Sequence, residues 1–227
     1  MKIARIILLF AILFIINGKI QAQAKDDIRD VFQFTYERAL KYNDRFEAKS
    51  ALYKLLAMDP QNDSLLSTLA YLYFEVGQYA SNVIICMDVL DINPRNTGAL
   101  EMSGVSYGNL GLKDKSLDSY EKLYLITNDF EVLYKMAFLQ YELEKFQQAI
   151  TNIEILLSKS EAEEGTVFYT INEEEKEFPI KAVLYNVQGL VNQSLDDKDA
   201  ARTSFEESLK ISPDFVYAKQ NLDSLKN

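Results

Sequence analysis

Apolar residues recur at helical spacing through most of the chain, and the pattern itself returns at a fixed interval. One motif places large, small, small and large residues at steps of three, one and three. It reads Leu66-Leu69-Ala70-Tyr73, Leu100-Ser103-Gly104-Tyr107, Tyr134-Ala137-Phe138-Tyr141 and Tyr185-Gln188-Gly189-Asn192. A second motif stands before the first of these as Ala48/Leu52/Leu55. It follows each of the four as Asn82/Cys86/Val89, Ser116/Tyr120/Leu123, Ala149/Ile153/Leu156 and Ala201/Phe205/Ser208. Steps of four and three keep one face of a helix apolar. The interval is 34 residues: it separates Pro60 from Pro94, Gly77 from Gly111 and Tyr73 from Tyr107. The pattern predicts an all-α chain of stacked helix pairs, each unable to bury its apolar face without a neighbour.

Two stretches leave the pattern. Thr166–Ile171 is rich in β-branched and aromatic residues, Asn172–Lys176 reads as a polar turn, and Glu177–Ile180 reads as a returning edge strand with Pro179 at its margin. Residues 164–181 are thus read as an inserted β-hairpin, with an extended loop as the alternative. Deleting Thr166 to Phe178 is expected to leave the helices intact. Glu173, Glu174 and Glu175 lack the alternating aspartates and glycine of a calcium loop, so no metal site is expected. Residues 216–227 carry Val216, Ala218, Leu222 and Leu225 on one face, which suits a terminal capping helix.

Gly104, Gly108 and Gly111 crowd one stretch, although glycine in a helix interior costs about 1 kcal/mol relative to alanine. Gly104 occupies the small position where the two helices of a pair touch, as Ala70 and Gly189 do. Gly111 ends the first helix, where a left-handed residue suits glycine. Gly108 has no counterpart among the repeats. No strand precedes these glycines, as a phosphate loop requires, and residues 97–116 are too polar for a membrane helix seam.

Composition narrows the function. The 227 residues include no histidine and no tryptophan, and the formal net charge is −10. Without histidine the commonest general base and metal ligand are missing. Cys86, the single cysteine, lies in an apolar run between Ile85 and Met87 and reads as a small buried hydrophobe. At the start, Lys2 and Arg5 precede an uncharged run, Ile6 to Gly18, and Ala22-Gln23-Ala24 supplies an A-x-A cleavage site. The run is too short to span a bilayer and reads as a secretory signal peptide, residues 1–24. Cleavage after Ala24 removes Lys2, Arg5 and Lys19 and no acid, leaving 34 acidic against 21 basic residues. So acidic a chain repels phosphate backbones, and nucleic acid is not an expected partner.

The 34-residue period, the two helix motifs and the closing prolines together resemble the tetratricopeptide repeat family. Five repeats fit, at about 29–62, 63–96, 97–130, 131–163 and 182–215, within one domain of residues 25–227. Phe32, Leu66, Leu100, Tyr134 and Tyr185 replace the family's tryptophan. Tyr36 stands where a small residue is usual, Asn128 where proline is usual, and the fourth repeat has one residue fewer between its helices. The resemblance implies a helical-hairpin solenoid coiled as a right-handed superhelix, with the inserted β-hairpin or loop and the capping helix.

The resemblance also implies a concave peptide-binding groove lined by first helices. Its residues would be Ser67, Tyr71 and Phe74, then Glu101, Val105 and Asn109, then Lys135, Leu139 and Glu142, and last Asn186, Leu190 and Gln193. The family's carboxylate clamp is absent: its positions hold Gln33, Glu37, Thr68, Gly98 and Met102, or in the next frame Ser67, Tyr71, Met102, Val132 and Met136. The expected function is a non-enzymatic interaction scaffold, exported to the periplasm or beyond the cell, which takes a protein or peptide partner and no cofactor. No integral membrane segment is expected after cleavage. Two other readings stay open: a hydrolase using carboxylates such as Glu101 and Glu142, and a self-assembling envelope subunit.

Overall fold

The computed structural model describes the backbone of residues 2–225 and the side chains of Lys19 and residues 21–225. Most of the expected signal peptide therefore lies outside the described side chains, as do Lys226 and Asn227 at the end of the expected cap. The chain divides into two compact units, Met1–Ala99 and Leu100–Asn227.

In the first unit α1 (Lys2–Lys41) packs on α2 (Arg45–Met58), and α3 (Asp63–Glu75) packs on α4 (Tyr79–Ile92). The second unit takes up α5 (Thr97–Asn109) from Leu100 and continues through α6 (Lys113–Thr127), α7 (Phe130–Glu142) and α8 (Phe146–Leu157). A one-turn helix α9 (Glu161–Glu164) leads to strands β1 (Thr166–Ile171) and β2 (Glu174–Pro179). Helices α10 (Ile180–Ser194), α11 (Lys198–Ile211) and α12 (Val216–Ser224) complete it.

All fifteen residues of the second-helix motif are buried, from Ala48 and Leu55 to Phe205 and Ser208. The buried polar members are bonded rather than orphaned. Asn82 Nδ2 donates to the Ala70 carbonyl at 2.9 Å and Ser116 Oγ to that of Gly104 at 2.7 Å. Both cross the helix pair twelve residues back, so one polar side chain ties the second helix to the first.

In the second to fifth pairs a small residue of the first helix is matched sixteen positions on by a residue of the second-helix motif. The combinations are Ala70 with Cys86, Gly104 with Tyr120, Ala137 with Ile153 and Gly189 with Phe205. A Cβ on Gly104 would stand 2.8 Å from Tyr120 Cζ, and one on Gly189 only 2.3 Å from Phe205 Cε1. In these four pairs glycine is matched with an aromatic ring and alanine with a smaller side chain. The first pair, with Tyr36 and Leu52, does not follow the rule.

The turns inside the pairs share one geometry. Asn43, Gly77, Gly111, Glu144 and Asp196 all have positive φ, between 49° and 73° as a group with Asn128. At each of the five the two closing bonds match, as in Gly77 N to Phe74 O and Gln78 N to Tyr73 O, or Glu144 N to Tyr141 O and Lys145 N to Gln140 O. This is the Schellman closure of a helix. The fourth pair closes onto Gln140 as the third closes onto Tyr107, and three residues join its helices as in the pairs before it. The missing residue is therefore lost ahead of α7. The first-helix motif of this pair is Leu133, Met136, Ala137 and Gln140, all buried, one residue earlier than the Tyr134-Ala137-Phe138-Tyr141 read from the sequence. Asn128, where proline is usual, ends α6 with φ 49°.

The insertion is a β-hairpin: β1 and β2 pair antiparallel with Ile171 opposite Glu174. The turn is shorter than the sequence suggests, only Asn172 and Glu173, with φ of 51° and 68°, the two positive values of a type I′ turn. The expectation of a separable appendage is corrected by burial. Phe178 and Phe215 are each 1% exposed, with ring centroids 4.7 Å apart. Tyr169 lies 5.7 Å from Phe215 and 5.4 Å from Tyr217. The hairpin's inner face is part of the core of the second unit.

Candidate peptide-binding surface

Helices α5 and α7 project Val105, Asn109, Lys135, Leu139 and Glu142 toward one cleft of about 440 Å³. All five belong to the sequence-derived set. Tyr134, Phe138, Tyr120, Ser116 and Gly108 complete its wall. Gly108 has no large side chain to fill this space, and Tyr134 and Phe138 stack 4.6 Å apart within it. The floor is therefore apolar and aromatic.

Charge sits on the rim as lysine–carboxylate pairs. Lys135 Nζ lies 3.9 Å from Glu101 and 5.5 Å from the centre of the Tyr120 ring. Lys113 Nζ lies 3.4 Å from Glu142. Such exposed pairs contribute at most about 1 kcal/mol each, so a ligand's own charges can displace them. Burial, and then the Glu101 carboxylate, pushes the Tyr120 phenol up to about 12. Burial also raises Tyr134.

In the first unit, α3 presents Ser67, Tyr71 and Phe74. Tyr71 is half exposed, and a hydrogen bond to the Glu75 carboxylate raises its phenol pKa. Phe74 meets Tyr79 edge-on at 6.1 Å, and Ser67 Oγ accepts from Asn96 Nδ2 at 3.2 Å.

The last three expected residues lie differently. Asn186 is only 6% exposed, and its Oδ1 accepts from Asn221 Nδ2 of α12 at 2.8 Å. Leu190 packs beside Leu222 against Ala201, Phe205 and Leu225. The capping helix therefore takes Asn186 and much of Leu190 out of the open surface, whereas Gln193 stays partly exposed. A surface assignment carried over by repeat position fails here because the last repeat's neighbour is the cap.

Glu101 and Glu142, the carboxylates of the hydrolase reading, are both exposed and each is paired with a lysine. A larger cleft, about 690 Å³, lies along α1 and α2, but Gln21 and Ala24 form part of its wall. The expected cleavage would remove both.

Two family models, each described as tetratricopeptide repeat, match residues 131–160 and 182–215. These are α7 with α8 and α10 with α11. Both hairpins are similar to tetratricopeptide repeats. Solved tetratricopeptide structures share the fold across most of the chain. A MamA protein aligns at 16% identity and a TM-score of 0.60, covering 82% of this chain and 92% of its own. MamA from Desulfovibrio magneticus RS-1 aligns at 14% and 0.58, covering 82% and 96%. YrrB, described as "a TPR protein with an unusual peptide-binding site", aligns at 13% and 0.63, covering 82% and 87%. No curated protein matches the chain closely enough to count as a relative.

The large cleft residues outside the sequence-derived set are Tyr120, Tyr134 and Phe138. Tyr120 is a second-helix motif residue, and the sequence pattern puts Tyr134 and Phe138 in the first-helix motif. The structure gives that motif to Leu133, Met136, Ala137 and Gln140, one residue earlier. Tyr134 and Phe138 thus stand where Glu101 and Val105 stand on α5 and turn to the cleft.

Proposed function

We propose that this tetratricopeptide chain is a non-enzymatic adaptor of the cell envelope that captures a segment of another protein. The observation that carries this reading is the cleft on α5 and α7. It has an aromatic floor formed by Tyr134 and Phe138, an apolar Leu139 and Val105, and a rim of displaceable lysine–carboxylate pairs. Such a surface suits an extended or helical segment with one or two apolar anchors and charges at their flanks. Ser67, Tyr71 and Phe74 on α3 offer a further contact stretch. Export is supported by Lys2 and Arg5, the apolar run after them and Ala22-Gln23-Ala24; the periplasm is the proposed compartment.

The test places a photoreactive amino acid at Leu139 and, as control, at Leu125 on α6, which is 84% exposed. One partner should crosslink from position 139 and not from 125. Leu139→Asp should abolish its capture while helical circular dichroism is retained, because a charge against an apolar anchor is strongly unfavourable. Tyr120→Asp, at a position 5% exposed, should damage the fold itself. Equal crosslinking from both positions would defeat the proposal.

A further inference from the structure

The hairpin's two edges differ in chemistry. β2 reads Glu174-Glu175-Lys176-Glu177-Phe178-Pro179, four charges and a proline, the devices by which edge strands resist an added strand. β1 reads Thr-Val-Phe-Tyr-Thr-Ile and has neither. The two-residue turn sets the phase of the ladder. Ile171 and Glu174 flank it and exchange both backbone bonds, and so do Tyr169 with Lys176 and Val167 with Phe178. Pro179, opposite Thr166, falls where no ladder N–H is needed. Thr166, Phe168 and Thr170 therefore point their N–H and C=O groups away from β2. Among the described residues β2 is the only strand beside β1. All three are exposed, Phe168 to 66%.

This edge is also held still. On the inner face Tyr169 and Phe178 are fixed against Phe215 and Tyr217, so a guest strand does not have to order its host. We propose that β1 is a docking edge that takes up an extended, cationic segment of a partner protein by strand addition. The backbone groups dictate that the guest is a strand. The surroundings dictate its charge: Glu175 and Glu177 share the exposed face with Phe168, and Glu161 and Glu164 precede the hairpin in α9, where Glu163 is paired with Lys181. A guest beside β1 lies about 10 Å from β2, roughly one Debye length at physiological salt, so lysines on it are attracted in a salt-sensitive way. A second copy would instead bring its own carboxylates and another net charge of −10.

The probes are capped peptides of alternating valine and lysine, and of alternating valine and glutamate, added to isotope-labelled protein. The lysine peptide should slow amide exchange at Phe168 and Thr170 at least tenfold and bind at least tenfold more tightly than the glutamate peptide. Phe168→Pro removes one outward N–H and leaves the β1–β2 ladder bonds; it should weaken binding at least tenfold. Phe168→Ala should change it less than threefold. Methylating alternate backbone nitrogens of the peptide should abolish binding without touching the protein. Leu139→Asp should leave it unchanged, which separates this edge from the cleft on α7. Absence of protection at both amides, or full binding by Phe168→Pro with the methylated peptide, would overturn the proposal. So would a dimer that dissociates in Phe168→Pro, since the occupant would then be a second copy.

Discussion

A methyl group is enough to distinguish the glycines of this chain. At Gly189 and Gly104 it would meet the rings of Phe205 and Tyr120 at 2.3 and 2.8 Å, while at Gly108 it would rest 3.6 Å from Ser116 Oγ. Overpacking typically costs about 1–3 kcal/mol, and alanine regains about 1 kcal/mol of helix propensity. Gly189→Ala should therefore lower the melting temperature most, Gly104→Ala less, and Gly108→Ala should raise it. Thermal denaturation of the three variants checks the order. Tyr120 also carries a pH signature. Its folded pKa is raised to about 12 from an ordinary 10, so the fold holds the neutral phenol and its contribution is complete below pH 10. That contribution is lost as pH rises through 10 to 12. Denaturant titrations should show a steeper alkaline loss for the wild type than for Tyr120→Phe. Gly104 was legible in the sequence as a small helix-contact position because it recurs in register. Glu144 and Asp196 were not legible as left-handed residues, because their types carry no such signal and only the closing hydrogen bonds reveal it.

The hairpin is an element whose sequence told half its story. Alternation in Thr166–Ile171 marked a strand, and Pro179 marked an end. Neither could say what covers the inner face, because Phe215 lies 37 residues beyond Phe178 in the chain and belongs to a different local pattern. The turn was overestimated because the usual Asn-Gly pair is absent and Glu173 takes the positive φ instead. Phe178 is 1% exposed, and truncating a buried phenylalanine costs about 3–5 kcal/mol. Phe178→Ala should destabilise the chain by that order, and Phe168→Ala should stay within about 0.5 kcal/mol as a surface change. Urea titration of both variants distinguishes an integral hairpin from an appendage.

For the whole molecule, the repeated helix pairs were plain from periodicity, since every second-helix motif residue is buried. The fate of Asn186 was not, because the cap that covers it is not a repeat and follows no repeat rule. The export proposed above predicts a mature chain that begins at Lys25. Intact mass of protein recovered from the envelope fraction should lack residues 1–24, and recovery of the full-length mass would count against export. The mature chain loses three basic residues and no acid, so its isoelectric point should fall below the 4.7 of the full sequence.

The inverse sizes of Ala70 and Cys86, Gly104 and Tyr120, Ala137 and Ile153, and Gly189 and Phe205 bear on how such an array is inherited. Repeats invite unequal recombination, since each resembles the next at the level of the gene. A crossover between pairs passes on a matched small and large residue together. One falling inside a pair joins Gly104 to Cys86 and Ala70 to Tyr120, leaving a void in one product and a clash in the other. The heritable unit of this chain is therefore the complete hairpin, and genetic exchange that respects that boundary is the kind that leaves a foldable descendant.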